Sequence, residues 1–170
     1  ATGTKDATTF LRGDNTFASA GGTNTPAFFV YKTGSTQGIS SGAITKVTFN
    51  TELYDTDNNF DNSTNYRFTP TTAGKYFFSA SVYVAGSSQR YLNVYIRKNG
   101  STNFGSYSAE DTGNNLGSAG VVANVAYDMN GSSDYVEVFA QAQTNVGDPT
   151  IQYDNNGFTT YFQGYKLIGV

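Results

Sequence analysis

The sequence predicts an all-β antiparallel jelly-roll sandwich, and three observations carry that prediction. Apolar and polar side chains alternate with a period of two over successive segments. Asn-Gly pairs stand beside or between those segments at Asn99-Gly100, Asn130-Gly131 and Asn156-Gly157, and Asn-Gly supplies the positive φ angles that a two-residue hairpin turn requires. A helical period of three to four is nowhere sustained. With 170 residues and 18.2 kDa, the chain is the size of one domain and can bury about 70% of the surface its unfolded form exposes.

Residues Ala1 to Thr25 are rich in Thr, Ala and Gly, with only Phe10, Leu11 and Phe17 able to anchor anything. Gly21-Gly22-Thr23-Asn24-Thr25-Pro26 closes the stretch, which reads as an extended N-terminal arm and linker over 1–25 ahead of a head domain over 26–170. Strands are expected over Ala27 to Lys32, Ile44 to Tyr54, Tyr66 to Phe68, Lys75 to Val84, Tyr91 to Lys98, Thr102 to Ser108, Gly120 to Tyr127, Tyr135 to Gln143 and Phe158 to Ile168. The parity is clearest in the middle of the chain. Tyr76, Phe78, Ala80, Val82 and Val84 share one face, as do Leu92, Val94 and Ile96, and then Val136, Val138, Ala140 and Ala142. So many short antiparallel strands in one domain make a sandwich.

Composition removes whole chemistries. Cys 0 excludes disulfides and thiolate chemistry, and His 0 excludes imidazole bases and ligands. Ten basic against 13 acidic residues, with a pI near 4.7, lack the footprint of a nucleic-acid binder. No apolar run is long enough to cross a bilayer as a helix, so no membrane insertion is expected. Charged residues make up only 14% of the chain, while Tyr 13 and Phe 13 stand high. An aromatic, uncharged chain needs somewhere to put its rings.

Phe49-Asn-Thr-Glu-Leu-Tyr-Asp55, then Phe60, Phe68 and Gly74-Lys-Tyr76-Phe-Phe78, resemble the signature of the complement globular-head family, a jelly roll related to tumour necrosis factor. Asn130-Gly131 followed by Asp134-Tyr-Val136-Glu-Val138 looks like that family's Gly-Asp-x-Val strand start, with Ser132-Ser133 inserted. Phe162-Gln-Gly164-Tyr165-Lys-Leu167 resembles its terminal strand. The resemblance spans about 27–170 and implies a homotrimer packed around a threefold axis. In the arm, Asp6-Ala-Thr-Thr-Phe-Leu-Arg-Gly-Asp-Asn-Thr-Phe17 is similar to a stretch common in bacteriophage tail and fibre proteins, with Asn15 and Phe17 in place of the usual Gly and Trp. That resemblance implies a virion-docking arm carried by Phe10, Leu11, Arg12, Asp14 and Phe17.

The remaining constellations have plain readings beside chemical ones. Arg12-Gly13-Asp14 matches an integrin-binding tripeptide and reads as a turn. Asp55, Asp57, Asn59 and Asp61 place oxygens at alternate positions as a calcium loop does, but Phe60 and Tyr66 stand where an EF-hand needs Gly and Glu. A looser calcium site is the alternative to a solvated strand-end loop, since some members of the resembled family bind calcium. Glu110-Asp111 and the pair Asp148 and Asp154 are acidic enough for glycoside cleavage only if the fold holds two carboxylates across a cleft. Asn62-Ser-Thr64, Asn99-Gly-Ser101 and Asn130-Gly-Ser132 match the glycosylation acceptor pattern and coincide with turns.

The strongest physical signal is the surplus of rings at nominally outward positions: Phe77, Tyr83, Tyr91, Tyr95, Tyr135, Phe139, Tyr161 and Tyr165. A lone sandwich would leave them wet, and a subunit interface would cover them. The sequence therefore reads as a non-enzymatic bacteriophage virion structural protein: a homotrimeric head on the particle surface, as a tail-fibre tip that binds a host glycan or protein, or as a capsid decoration. The alternatives are a polysaccharide-degrading virion enzyme and a secreted complement-head-like binding protein. The expected contact surfaces are the loops Gly86 to Arg90, Glu110 to Leu116 and Gly147 to Gly157.

Overall fold

The computed structural model describes residues 1–6, 9–19, 24–100, 102–110, 116–153 and 158–168, with backbone alone described at 18, 19, 102–110 and 116. All regular structure among them is strand. A small hairpin opens the chain, β1 (Thr9–Leu11) against β2 (Phe17–Ser19). Part of the arm thus folds back where an extended run was expected, for a local reason. The Asn15 amide donates to the Arg12 carbonyl at 3.0 Å, Asn15 takes a φ of 65°, and the Asp14 carboxylate accepts the Thr16 amide and hydroxyl at 3.1 and 2.6 Å. Arg12-Gly13-Asp14 is the body of that turn.

The head is a two-layered antiparallel sandwich. Its strands are β3 (Ala27–Tyr31), β4 (Gln37–Gly38), β5 (Ile44–Lys46), β6 (Thr51–Asp55), β7 (Phe60–Asp61), β8 (Arg67–Phe68), β9 (Gly74–Lys98), β10 (Thr102–Glu110), β11 (Leu116–Met129), β12 (Val136–Ile151) and β13 (Tyr161–Lys166). The first layer runs β6-β3-β13-β9-β11, using the first half of β9. The second layer is built on the second half of β9, with β10 on one side and β12 on the other, and β5 and β8 beyond β12.

One continuous 25-residue strand, β9, replaces the two strands expected over Lys75 to Val84 and Tyr91 to Lys98. Its ends meet: Gly74 pairs with Met129, while the Lys98 ammonium donates to the Asp128 carbonyl at 2.6 Å. The strand therefore turns back on itself between its halves. The Gly-Ser segment bends without breaking because Ala85, Ser87 and Gln89 keep partners in Thr150, Val146 and Thr144 of β12, and Ser88 absorbs the bend with a φ of 54°. Gly86 is needed there, since a Cβ would stand 2.7 Å from Thr144 Cγ2 and 3.2 Å from the Pro149 backbone.

Other departures from the sequence reading have equally local causes. The expected strand over Ile44 to Tyr54 divides into β5 and β6 because the chain crosses from the second layer to the first between them. Val47 and Phe49 carry that crossing through the core. Asn99 and Gly100 adopt φ of 53° and 74°, as the predicted hairpin turn requires. At Asn130-Gly131 only Gly131 is left-handed, at 70°. There the Asn130 side-chain oxygen accepts the amides of Ser132, Ser133 and Asp134, making a wider loop that links the two layers instead of a tight hairpin. Asn156-Gly157 lies outside the described residues.

The core sits between the layers and follows the predicted parity. Tyr76, Phe78, Ala80, Val82, Val84, Leu92, Val94 and Ile96 of β9 are fully buried against Val136, Val138, Ala140 and Ala142 of β12. Phe28 is the hub, stacked on Phe68 at 4.3 Å and edge-on to Phe162 at 4.9 Å. The chain enters this sandwich and leaves it at one end, where the Lys166 amide donates to the Pro26 carbonyl at 3.1 Å. The bend of β9 and the tail of β12 form the opposite end.

Candidate functional site

The fold sorts the eight outward rings onto two opposite faces. Phe77, Tyr83, Tyr161 and Tyr165 lie on the outer face of the first layer, and Tyr91, Tyr95, Tyr135 and Phe139 on that of the second. The two faces differ in how their rings are covered.

On the second layer the chain caps its own rings with cations. The Arg97 guanidinium lies 4.5 Å from the Phe139 ring centre and 5.4 Å from that of Tyr95. Arg67 lies 4.4 Å from Tyr135, and Lys46 lies 5.8 Å from Phe139. Lys46 also binds the buried Glu137 carboxylate at 2.5 Å. The Tyr95 hydroxyl donates to Gln141 at 2.8 Å, and Gln141 donates in turn to the Gly42 carbonyl. Three of the four rings on this face therefore have a cation of the same chain beside them, and the face is charged and hydrogen-bonded to itself.

The first layer shows the reverse. Phe29 stacks on Tyr161 at 5.3 Å and meets Phe158 edge-on at 5.1 Å, while Tyr31 meets Phe158 at 4.9 Å and Tyr54 adjoins Phe29 at 6.3 Å. Phe77 and Tyr165 make a second pair at 5.8 Å. Phe158 is 47% exposed, Tyr54 44%, Val122 47% and Tyr165 38%. Across the outward positions of β3, β13, the β9 stretch 77–83 and the β11 stretch 120–126 there is no Asp, Glu, Lys or Arg. Sequence reasoning missed Phe29, Tyr31, Tyr54 and Phe158. The signal for Phe29 and Tyr31 was available, since Phe28 and Val30 take the inward parity in β3.

At the end away from the termini, parts of two expected contact loops, Gly86 to Arg90 and Gly147 to Gly157, come together beside Gly117, which lies one residue past the third. A cleft of about 590 Å³ is lined by Gly86 and Ser87 of the β9 bend, Gly117 of β11, and Val146, Asp148 and Thr150 of β12. One Asp148 oxygen is held by the Ser41 amide at 2.9 Å. Asp111 and Asp154 lie outside the described residues, and of Glu110 only the backbone is described.

The acidic loop after β6 spends its oxygens on its own backbone. Asp55 accepts the Phe60 amide at 2.7 Å, and Asp61 accepts the amides of Ser63, Thr64 and Asn65 at 2.9–3.1 Å. Asp57 accepts the Thr56 hydroxyl, and Asn59 is buried. Among the described residues no group of three or more acidic side chains is close enough to share a metal ion. The Thr64 amide first, then that of Ser63, holds the Asp61 carboxyl well below the usual carboxylate range. Its ionised form therefore stabilises the fold above the unfolded value near pH 4, and that contribution fades as the pH falls below it. Asp61→Asn should cost about 1–2 kcal/mol at pH 7 and flatten the acid limb of stability, read as denaturant midpoints at pH 7 and pH 3.

A family model described as the C1q domain matches residues 27–167. The uncharacterized protein YqcC of Bacillus subtilis (strain 168) is 31% identical over 135 residues, which is 74% of this chain and 35% of that protein. The chain thus spans about a third of the length of that relative. Among solved structures, the globular domain of the zebrafish complement 1qA protein superposes with a TM-score of 0.57 at 20% identity, over 84% of this chain and 96% of that one. Murine APRIL at pH 5.0 gives a TM-score of 0.61 at 10% identity, over 83% and 98%. The Eiger tumour necrosis factor of S. frugiperda gives 0.56 at 10% identity, over 83% and 91%. At these identities the likenesses establish the jelly-roll fold.

Proposed function

The chain belongs to the C1q domain family, and we propose from that premise that it is a non-enzymatic binding head that works as a homotrimer on the surface of a virion. The observation that carries the assembly is the contrast between the two outer faces. One is capped by Arg97, Arg67 and Lys46 of the same chain, and the other presents Phe29, Tyr31, Tyr54, Phe158, Tyr161 and Tyr165 with no charge at the outward positions of β3, β13 and the β9 stretch 77–83, the Lys75–Asp128 ion pair standing at its margin. An uncharged aromatic face of this kind is what an interface core needs. Three copies packed through the first layer cover it and leave the second layer outward.

The same packing gives the head its direction. Residues 1–25 join the sandwich at the end where Pro26 meets Lys166, so the arm holds the particle and the opposite end, with its convergent loops, faces outward. Phe10 and Leu11, 48% and 54% exposed on the β1–β2 hairpin, are the apolar contacts for a neighbouring virion protein. The head then serves as a tail-fibre tip that meets the host surface or as a capsid decoration. Three copies of a weak site on one rigid body raise the effective concentration for the second and third contacts. Gold-labelled antibody against the head, applied to purified particles, tests the placement. Label at fixed projecting positions is expected, and free protein with unlabelled particles would refute the virion role.

A further inference from the structure

We propose that the cleft at the end of the head away from the termini is a binding subsite for a neutral saccharide, with Gln89 as its recognition amide. The inference deepens the reading of the chain as a binding head and rests on it.

Two independent observations carry it, the cleft and a buried amide beside it that is not one of its lining residues. The first is the cleft itself, whose volume of about 590 Å³ is walled by glycine backbone at Gly86, Gly117 and Gly147 and by Ser87, Val146 and Asp148. Small walls let a ligand ring approach the backbone closely. Ser87 and Thr150 offer hydroxyls, the exposed Asp148 carboxylate accepts from ligand hydroxyls, and Val146, 66% exposed, gives an apolar patch for the C–H face of a sugar. The single carboxylate in that wall disfavours an anionic ligand.

The second observation is Gln89. It is 1% exposed, and among the described residues neither its amide nitrogen nor its oxygen has a hydrogen-bond partner. An orphaned buried amide is costly and calls for an explanation. Gln89 pairs with Thr144 as Ser87 pairs with Val146, and it faces Leu116 where the next residue of β11, Gly117, lines the cleft. It therefore stands one rung in from the cleft wall, about 7 Å along the strand. Thr144 opposite it is tied to the Gly147 carbonyl, again a cleft residue. Turned toward the cleft, the amide offers a donor and an acceptor side by side, which match two neighbouring hydroxyls or an acetamido group. Ligand binding then pairs both groups of the Gln89 amide.

The test uses the full chain on an array of neutral hexose and N-acetylhexosamine oligosaccharides beside acidic ones, with melting temperature and sedimentation read on the same samples. Gly117→Leu fills the cleft without strain, because nothing lies within 4 Å of a Cβ there and the backbone is not left-handed. It should lower neutral-glycan binding at least tenfold with an unchanged melting temperature. Gln89→Leu should lower binding as much and raise the melting temperature by about 3–6 °C, since it removes an unsatisfied buried amide. Opposite signs on stability and binding are what a purely structural role would not give. Wild-type binding to acidic glycans alone, no binding to any oligosaccharide, or variants that bind as well as wild type would each overturn the subsite. A sedimenting mass of one chain would instead overturn the trimeric head, so the two failures are read separately.

Discussion

Gly164→Val is expected to be among the most damaging single substitutions in the chain, at about 3 kcal/mol or more. A Cβ at this position in β13 would lie 2.5 Å from Phe78 Cδ1 and 2.9 Å from Phe28 Cε1. Both rings are fully buried and already packed against Phe68 and Phe162. Neither can swing aside into solvent, so the added atoms force the first layer away from the core. The melting temperature should fall by about 6–12 °C. Phe28→Ala attacks the same hub from the other side and should cost about 3–5 kcal/mol by leaving a cavity between the layers. If Gly164→Val melts within a degree or two of wild type, the packing described around Phe28 is wrong.

The second large effect separates the two faces. Tyr161→Asp is expected to dissociate the assembly, because the new carboxylate would be buried among Phe29, Phe158 and a neighbouring subunit with no cation to meet it, at a cost of several kcal/mol per subunit. Tyr95→Asp should leave the assembly intact, since its surroundings include Arg97 at 5.4 Å from the ring it replaces and the Gln141 amide. Size-exclusion elution of the two variants beside wild type checks both. The reverse pattern would move the interface to the second layer.

Much of this architecture could be read in the residues before any coordinates. Inward parity was legible because a period of two is a local property: Tyr76 through Val84 and Val136 through Ala142 point inward as their spacing requires. Asn99-Gly100 was legible for the same reason, as its turn needs only its own two φ angles. What escaped were features set by distant partners. The continuity of β9 through its Gly-Ser bend depends on Thr144, Val146 and Thr150, and no window around residues 85–90 contains them. The break at Val47 to Asn50 reflects a crossing between layers, which a strand pattern cannot express.

The candidate surfaces were half legible. Outward rings could be counted from parity, but the division into a capped face and a bare one depends on Arg67, Arg97 and Lys46 arriving from three different strands. Gln89 gave no signal at all, because a glutamine in a polar segment is ordinary until its burial is known. Asp61, a cation-ligand candidate by spacing, accepts the amides of Ser63, Thr64 and Asn65, which spacing did not foretell. Alternate acidic positions describe a turn anchor as readily as a metal loop.

The proposal that the bare aromatic face is covered by sister chains is tested most directly by sedimentation equilibrium of the purified chain at micromolar concentration. Three copies of 18.2 kDa predict a single species near 55 kDa. A species near 18 kDa, folded and persisting across the concentration range, would contradict it.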